Sequence, residues 1–178
     1  MSYDGNAIAG APFDKVVVRA RMCASEVERA PVGKLLEIVV VVQVGGKWFA
    51  SAIDSVDRNN HGGVMARLDG VAIADGQARI DYTIGGNYQH HADDSTWRAR
   101  AMVVIGARGD KPPALTHPIV VEQTGIRRGA ASFETIAIKR TIAWGKDGAV
   151  EIDGPRDGLD KLDAKLGAAQ RGSHTLAF

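Results

Sequence analysis

What this chain has little of bounds it first. It holds a single cysteine, Cys23, so no disulfide closes within it, and a lone thiol suits a reducing compartment. Aromatic residues make up only 6%, which counts against the stacked Trp and Tyr surfaces common in sugar binding and against an interfacial aromatic belt. Neither sign of charge dominates. With 22 basic residues against 21 acidic ones, there is no global field to hold nucleic acid or an anionic membrane. The longest apolar runs, such as Ile38 to Val42, fall far short of a bilayer-spanning helix. The opening Met1-Ser2-Tyr3-Asp4-Gly5 lacks the basic start and apolar core of a secretory signal, so the expected location is the cytoplasm or a particle assembled there. Gly-x-Ser-x-Gly, His-Glu-x-x-His, the P-loop and the dinucleotide fingerprint are also missing, so no glycine cluster or hydroxyl is marked as catalytic and no cofactor is expected.

What is there reads as β structure. Six of the ten residues from Leu35 to Val44 are Val or Ile, and branched side chains lose χ1 freedom against a helical turn but pack well on a pleated surface. Gly45-Gly46-Lys47 then supplies a turn tolerant of positive φ, and Trp48 to Ile53 runs back, which predicts a long hairpin. Alternation recurs elsewhere. Val16, Val18, Ala20 and Met22 share one face of a strand, with Val17, Arg19 and Arg21 on the other. Ala78, Ile80, Tyr82 and Ile84 oppose Gln77, Arg79, Asp81 and Thr83, and Gly85-Gly86-Asn87 is expected to end that strand. Trp97, Ala99, Ala101, Val103 and Ile105 oppose Arg98 and Arg100. Gly106 to Pro113 reads as a loop, Pro118 to Gln123 as a short strand, and 132–144 as a less regular one.

Helical spacing is persuasive in one place, where Leu159, Leu162 and Leu166 stand between Asp157 and Gly167. A chain of 178 residues is most economically one domain. The predicted architecture is all-β, a two-sheet antiparallel sandwich or barrel of about eight or nine strands with one short C-terminal helix. Residues 1–14 form a flexible arm, 15–154 the β domain, and 155–178 the short helix and an apolar tail ending Thr175-Leu176-Ala177-Phe178.

Four features invite a functional reading. Gly85 to Asp94 gathers His90, His91, Asp93 and Asp94, ligand types that a divalent metal takes. Adjacent histidines on an extended chain point apart, however, and a real site would need a further ligand such as His61 or His117. A plain polar loop explains the segment with fewer demands. Asp57-Arg58-Asn59-Asn60-His61-Gly62-Gly63 opens like a calcium loop, but position five is His61 and position twelve is Leu68, where the bidentate Glu belongs, so an ordinary turn fits better. The arginine pairs Arg19/Arg21 and Arg98/Arg100 each share a strand face. If their strands are neighbours they make a guanidinium strip for phosphate or carboxylate, unless cross-strand acids such as Glu37 or Asp81 neutralise them. The two ends, finally, bury little alone and suit contacts with a neighbouring copy.

No catalytic constellation emerges. The sequence points to a non-enzymatic structural or interaction subunit whose partners are copies of itself or other subunits of an assembly, with virion components (capsid, decoration or tail-tube proteins) as the class such domains serve. A ligand-binding or membrane-active module, lectin-like or pore-forming, is the alternative; the scarcity of aromatics counts against it, and a clustered patch of Tyr3, Tyr82 and Tyr88 would favour it. A metal-dependent enzyme built on His90 to Asp94 is the third reading.

Overall fold

The computed structural model describes residues 3–4, 8–24, 34–57, 64–90, 93–108, 111–116, 118–128, 133–144, 149–153 and 172–175. Every regular element among them is a strand. Their order is β1 (Tyr3–Asp4), β2 (Ile8–Gly10), β3 (Phe13–Ala24), β4 (Lys34–Val44), β5 (Lys47–Asp57), β6 (Val64–Ala74) and β7 (Gln77–His90). The chain continues as β8 (Asp93–Arg108), β9 (Lys111–Leu115), β10 (Ile119–Arg128), β11 (Phe133–Lys139), β12 (Thr141–Trp144), β13 (Ala149–Asp153) and β14 (Gly172–Thr175).

All pairings are antiparallel. The first sheet runs β1-β3-β4-β5, with β2 also on β3; the second runs β11-β10-β8-β7-β6, with β9 on β8; β12, β13 and β14 make a small third sheet. Two turns of the same kind close the main hairpins. Gly45 and Gly46 (φ 55° and 76°) join β4 to β5, and Asp75 and Gly76 (φ 50° and 73°) join β6 to β7. Two consecutive left-handed residues match the twist of the strands they connect, which is why Gly-Gly and Asp-Gly stand there.

Alternation sends one face of each large sheet into a shared core. Val16 and Val18 of β3 with Ile38, Val40 and Val42 of β4 meet Ile80, Tyr82, Ala101, Val103 and Ile105 from β7 and β8. Gly10 lets the sheets come close at β2, because a Cβ there would lie 3.3 Å from Ile73 Cγ2 on β6. At roughly 25 cal/mol per Å² of apolar surface removed from water, this shared burial is the main force holding the sheets together.

The strands run further than the sequence pattern suggests. Gly85, Gly86 and Asn87 do not end β7; it continues to His90. A Cβ on Gly85 would lie 2.6 Å from the Trp97 carbonyl oxygen, so glycine permits a close approach to β8 within the strand. Lys111 to Pro113, part of the expected loop, belong instead to β9, which pairs with the end of β8 as an edge strand, where two prolines cost no ladder bond that the sheet needs. Tyr3-Asp4 and Ile8 to Gly10, in the segment expected to be an arm, pair with β3. The strand count exceeds the expected eight or nine because the added pieces are too short to carry a visible period. The predicted helix over Leu159, Leu162 and Leu166 lies outside the described residues. Within 155–178, Gly172–Thr175 is described, and it is a strand paired with β13.

Candidate functional site

The side of the second sheet that faces away from the core carries its charges in cross-strand order. In register, Arg67 of β6 stands beside Thr83 of β7, Thr83 beside Arg100 of β8, Arg100 beside Glu122 of β10, and Glu122 beside Lys139 of β11. Most of this row is internally neutralised. Arg67 Nε donates to Asp69 Oδ1 at 2.6 Å, Thr83 Oγ1 donates to Asp69 Oδ2, and Arg79 Nε donates to Asp81 Oδ2 at 2.9 Å. Arg100 lies 3.7 Å from Glu122, with both side chains about half exposed. Such pairs contribute roughly 0–1 kcal/mol each and mainly fix which side chain faces which.

One register row further along, the ladder of ion pairs stops. Arg98 stands between Gly85 on β7 and Thr124 on β10, and Met65 on β6 is the residue opposite Gly85. Gly85 offers no side chain, and Met65 leans over it, its Cγ 3.4 Å from the position a Cβ would take. Ile126, two residues beyond Thr124 on β10, shares this face. Met65 and Ile126 are 41% and 50% exposed, and Trp48 at 54% is the other exposed large hydrophobic among the described residues. Arg98 is exposed and has no ion pair among the described residues. The result is a flat apolar patch around a guanidinium, held on the rigid strands β6, β7, β8 and β10.

The other arginine pair lies elsewhere. Arg19 and Arg21 are on β3 in the first sheet, while Arg98 and Arg100 are on β8 in the second. Because the two strands belong to different sheets, the pairs do not join into one strip. Arg21 instead donates from Nε to Glu37 Oε2 at 2.9 Å, the cross-strand neutralisation that Glu37 offered in sequence. His90 is opposite Asp93, and Gln89 opposite Asp94, at the closed end of the β7–β8 hairpin. His91 lies outside the described residues, as do the side chains of His90, Asp93 and Asp94. Among the described residues no three His, Cys, Asp or Glu are arranged to hold a metal ion. The calcium-like segment 58–63 also falls outside them.

Sequence reasoning missed the polar contact inside the core. An extra residue on β5 shifts its register, since Val39 pairs with Ala52 but Ile38 pairs with Asp54. This bulge turns Asp54 towards the inner face, where it accepts a 2.8 Å hydrogen bond from the Tyr82 hydroxyl. Burial, only partly offset by that bond and by the Ser55 amide, holds the Asp54 carboxyl above the ordinary aspartate range. Burial likewise pushes the Tyr82 phenol up, and the adjacent carboxylate pushes it further. Tyr82 is fully buried, so it belongs to no surface cluster with Tyr3 and Tyr88.

Among the described residues, no helix is long and apolar enough to cross a membrane. Comparison with protein-family models, with curated proteins and with solved structures finds no match to this chain.

Proposed function

We propose that this chain is a structural subunit, a two-sheet β-sandwich without catalytic activity that packs against copies of itself in an extended assembly such as a virion shell, decoration layer or tail tube. The observation that carries the reading is the Met65–Arg98–Ile126 patch. Apolar side chains flanking an arginine on a rigid sheet are what contact surfaces are enriched in, and strand-borne side chains lose little freedom when covered.

Two of the sheet edges disfavour strand addition. The edge strands β5 and β6 each carry a bulge, at Ile53 and Asp69, and an edge interrupted in this way resists continuous pairing with another strand. Nucleic acid is the poorer partner for this face, since Asp69, Asp81 and Glu122 stand among its arginines.

Negative-stain electron microscopy of the purified chain over rising concentration tests the proposal. Regular rings, sheets or tubes support it. A field of isolated small particles at every concentration overturns it.

A further inference from the structure

The edges of the two large sheets are not alike. β5 and β6 carry the bulges at Ile53 and Asp69. The far side of β3 is covered by β1 and β2, pieces of two and three residues. β9, beside β8, holds Pro112 and Pro113, which have no amide hydrogen to offer a ladder. β11 differs from all of these. It is the outer strand of the second sheet and contains no proline. Its seven residues pair with β10 without a register shift, from Glu122 opposite Lys139 to Arg128 opposite Phe133.

Alternate residues of an antiparallel strand direct their amides and carbonyls to opposite sides, so β11 presents a row of such groups on the side away from β10. No strand pairs with that side among the described residues. A regular edge of this kind is a template for another extended chain. Thr135 and Ala137, on the outward face of the strand, are exposed and put no charge beside it. The exposed Lys139, at the end of the strand, stands beside Glu122 in register.

We propose that β11 pairs antiparallel with β11 of a second copy across a two-fold axis at Ala137. Ala137 then stands opposite itself, and Thr135 stands opposite Lys139 of the other copy. The charge pattern selects this direction. Antiparallel pairing puts the two Lys139 residues at opposite ends of the ladder, whereas a parallel pairing in register sets them side by side. With one regular edge per copy, the contact is isologous and closes at two chains. Ala137 also lies in the register row of Thr124, Arg98, Gly85 and Met65. A two-fold axis normal to the sheet at Ala137 therefore joins the Met65–Arg98–Ile126 patches of both copies on one side of a continuous sheet. The choice of a second copy as occupant rests on the subunit reading above, but the edge contact is separate from the face contact.

Sedimentation velocity on the full chain tests it, in a background of Arg98→Ala with Met65→Ser that spoils the face and leaves the edge intact. This background chain is expected to form a dimer of about twice 18.9 kDa that grows no further. Ala137→Lys and Ala137→Glu, each added to it, put like charges opposite one another at the two-fold axis. Each alone is expected to weaken the dimer by about tenfold or more. Mixed together, they set Lys opposite Glu and are expected to restore it. All three positions are exposed, and circular dichroism confirms that each variant keeps its β signal.

A background chain that is monomeric while the wild type assembles overturns the inference and leaves the subunit reading standing. So does a dimer that tolerates either charge at position 137. Two monomeric charge variants that fail to combine overturn the two-fold pairing at Ala137. A wild-type chain that never associates overturns both, and leaves the edge to water or to a different extended chain.

Discussion

Tyr82 on β7 donates its hydroxyl proton to Asp54 Oδ2 on β5 at 2.8 Å, a hydrogen bond that links the two large sheets through the core they share. Asp54 reaches the core only because the bulge at Ile53 reverses the facing of β5. Both groups hold their protons more tightly in the folded chain than in the unfolded one, and for both the largest cause is burial.

The pH dependence follows from the signs. For Asp54 the folded-state value is raised, so its stabilising contribution is complete below the ordinary value of 3.8 and is lost as pH rises through the higher folded value. Wild-type stability should therefore fall relative to Asp54→Asn across the mildly acidic range, measured by urea denaturation at stepped pH. For Tyr82 the contribution is complete below the ordinary value of 10.0 and is lost above it. Above that value stability should thus fall more steeply with pH for the wild type than for Tyr82→Phe. Parallel pH profiles for wild type and both variants would remove the buried pair from the account.

Tyr82→Phe at neutral pH should lower stability. It leaves the Asp54 carboxylate without its hydroxyl donor, and an orphaned buried polar group costs about 1–3 kcal/mol. At this chain length about 1 kcal/mol corresponds to roughly 2–4 °C in Tm. An unchanged Tm places the hydroxyl in contact with water instead.

Gly85→Ala should destabilise the second sheet, because its Cβ would sit 2.6 Å from the Trp97 carbonyl oxygen, a backbone atom that cannot step aside. Overpacking of this kind costs about 1–3 kcal/mol. Gly70→Ala is the control, since a Cβ there meets nothing within 4 Å. Thermal melts in which the two variants behave alike would refute the close approach.

Gln123→Met should be neutral or stabilising. Gln123 is 7% exposed, and its Oε1 has no hydrogen-bond partner among the described residues. Exchanging a buried unpaired carbonyl for a thioether of similar shape removes a desolvation cost of about 1–3 kcal/mol. A Tm drop of several degrees would show that the oxygen is satisfied.

The hairpins and their core faces were legible because period-2 alternation survives wherever one face is buried: Val16 and Val18, Ile80 and Tyr82, Ala101 and Val103 all point as their spacing predicts. Gly45-Gly46 announced its turn, and Asp75-Gly76 carried an equally strong signal. The bulges were not legible, because one extra residue in a strand looks like ordinary noise in alternation, yet it decides that Asp54 faces inward. Nor was the arginine geometry. Alternation places Arg19 and Arg98 on outward faces, but strand order, which alternation does not encode, puts them on different sheets. The patch was half visible: Arg98 was singled out, whereas Met65 and Ile126 join it only through register across four strands.

The mass of the chain in solution, measured by light scattering coupled to size exclusion over a wide concentration range, tests the central claim most directly. The account predicts a mass that rises with concentration well above 18.9 kDa and falls back when Arg98 and Met65 are replaced. A constant mass of 18.9 kDa throughout would contradict it.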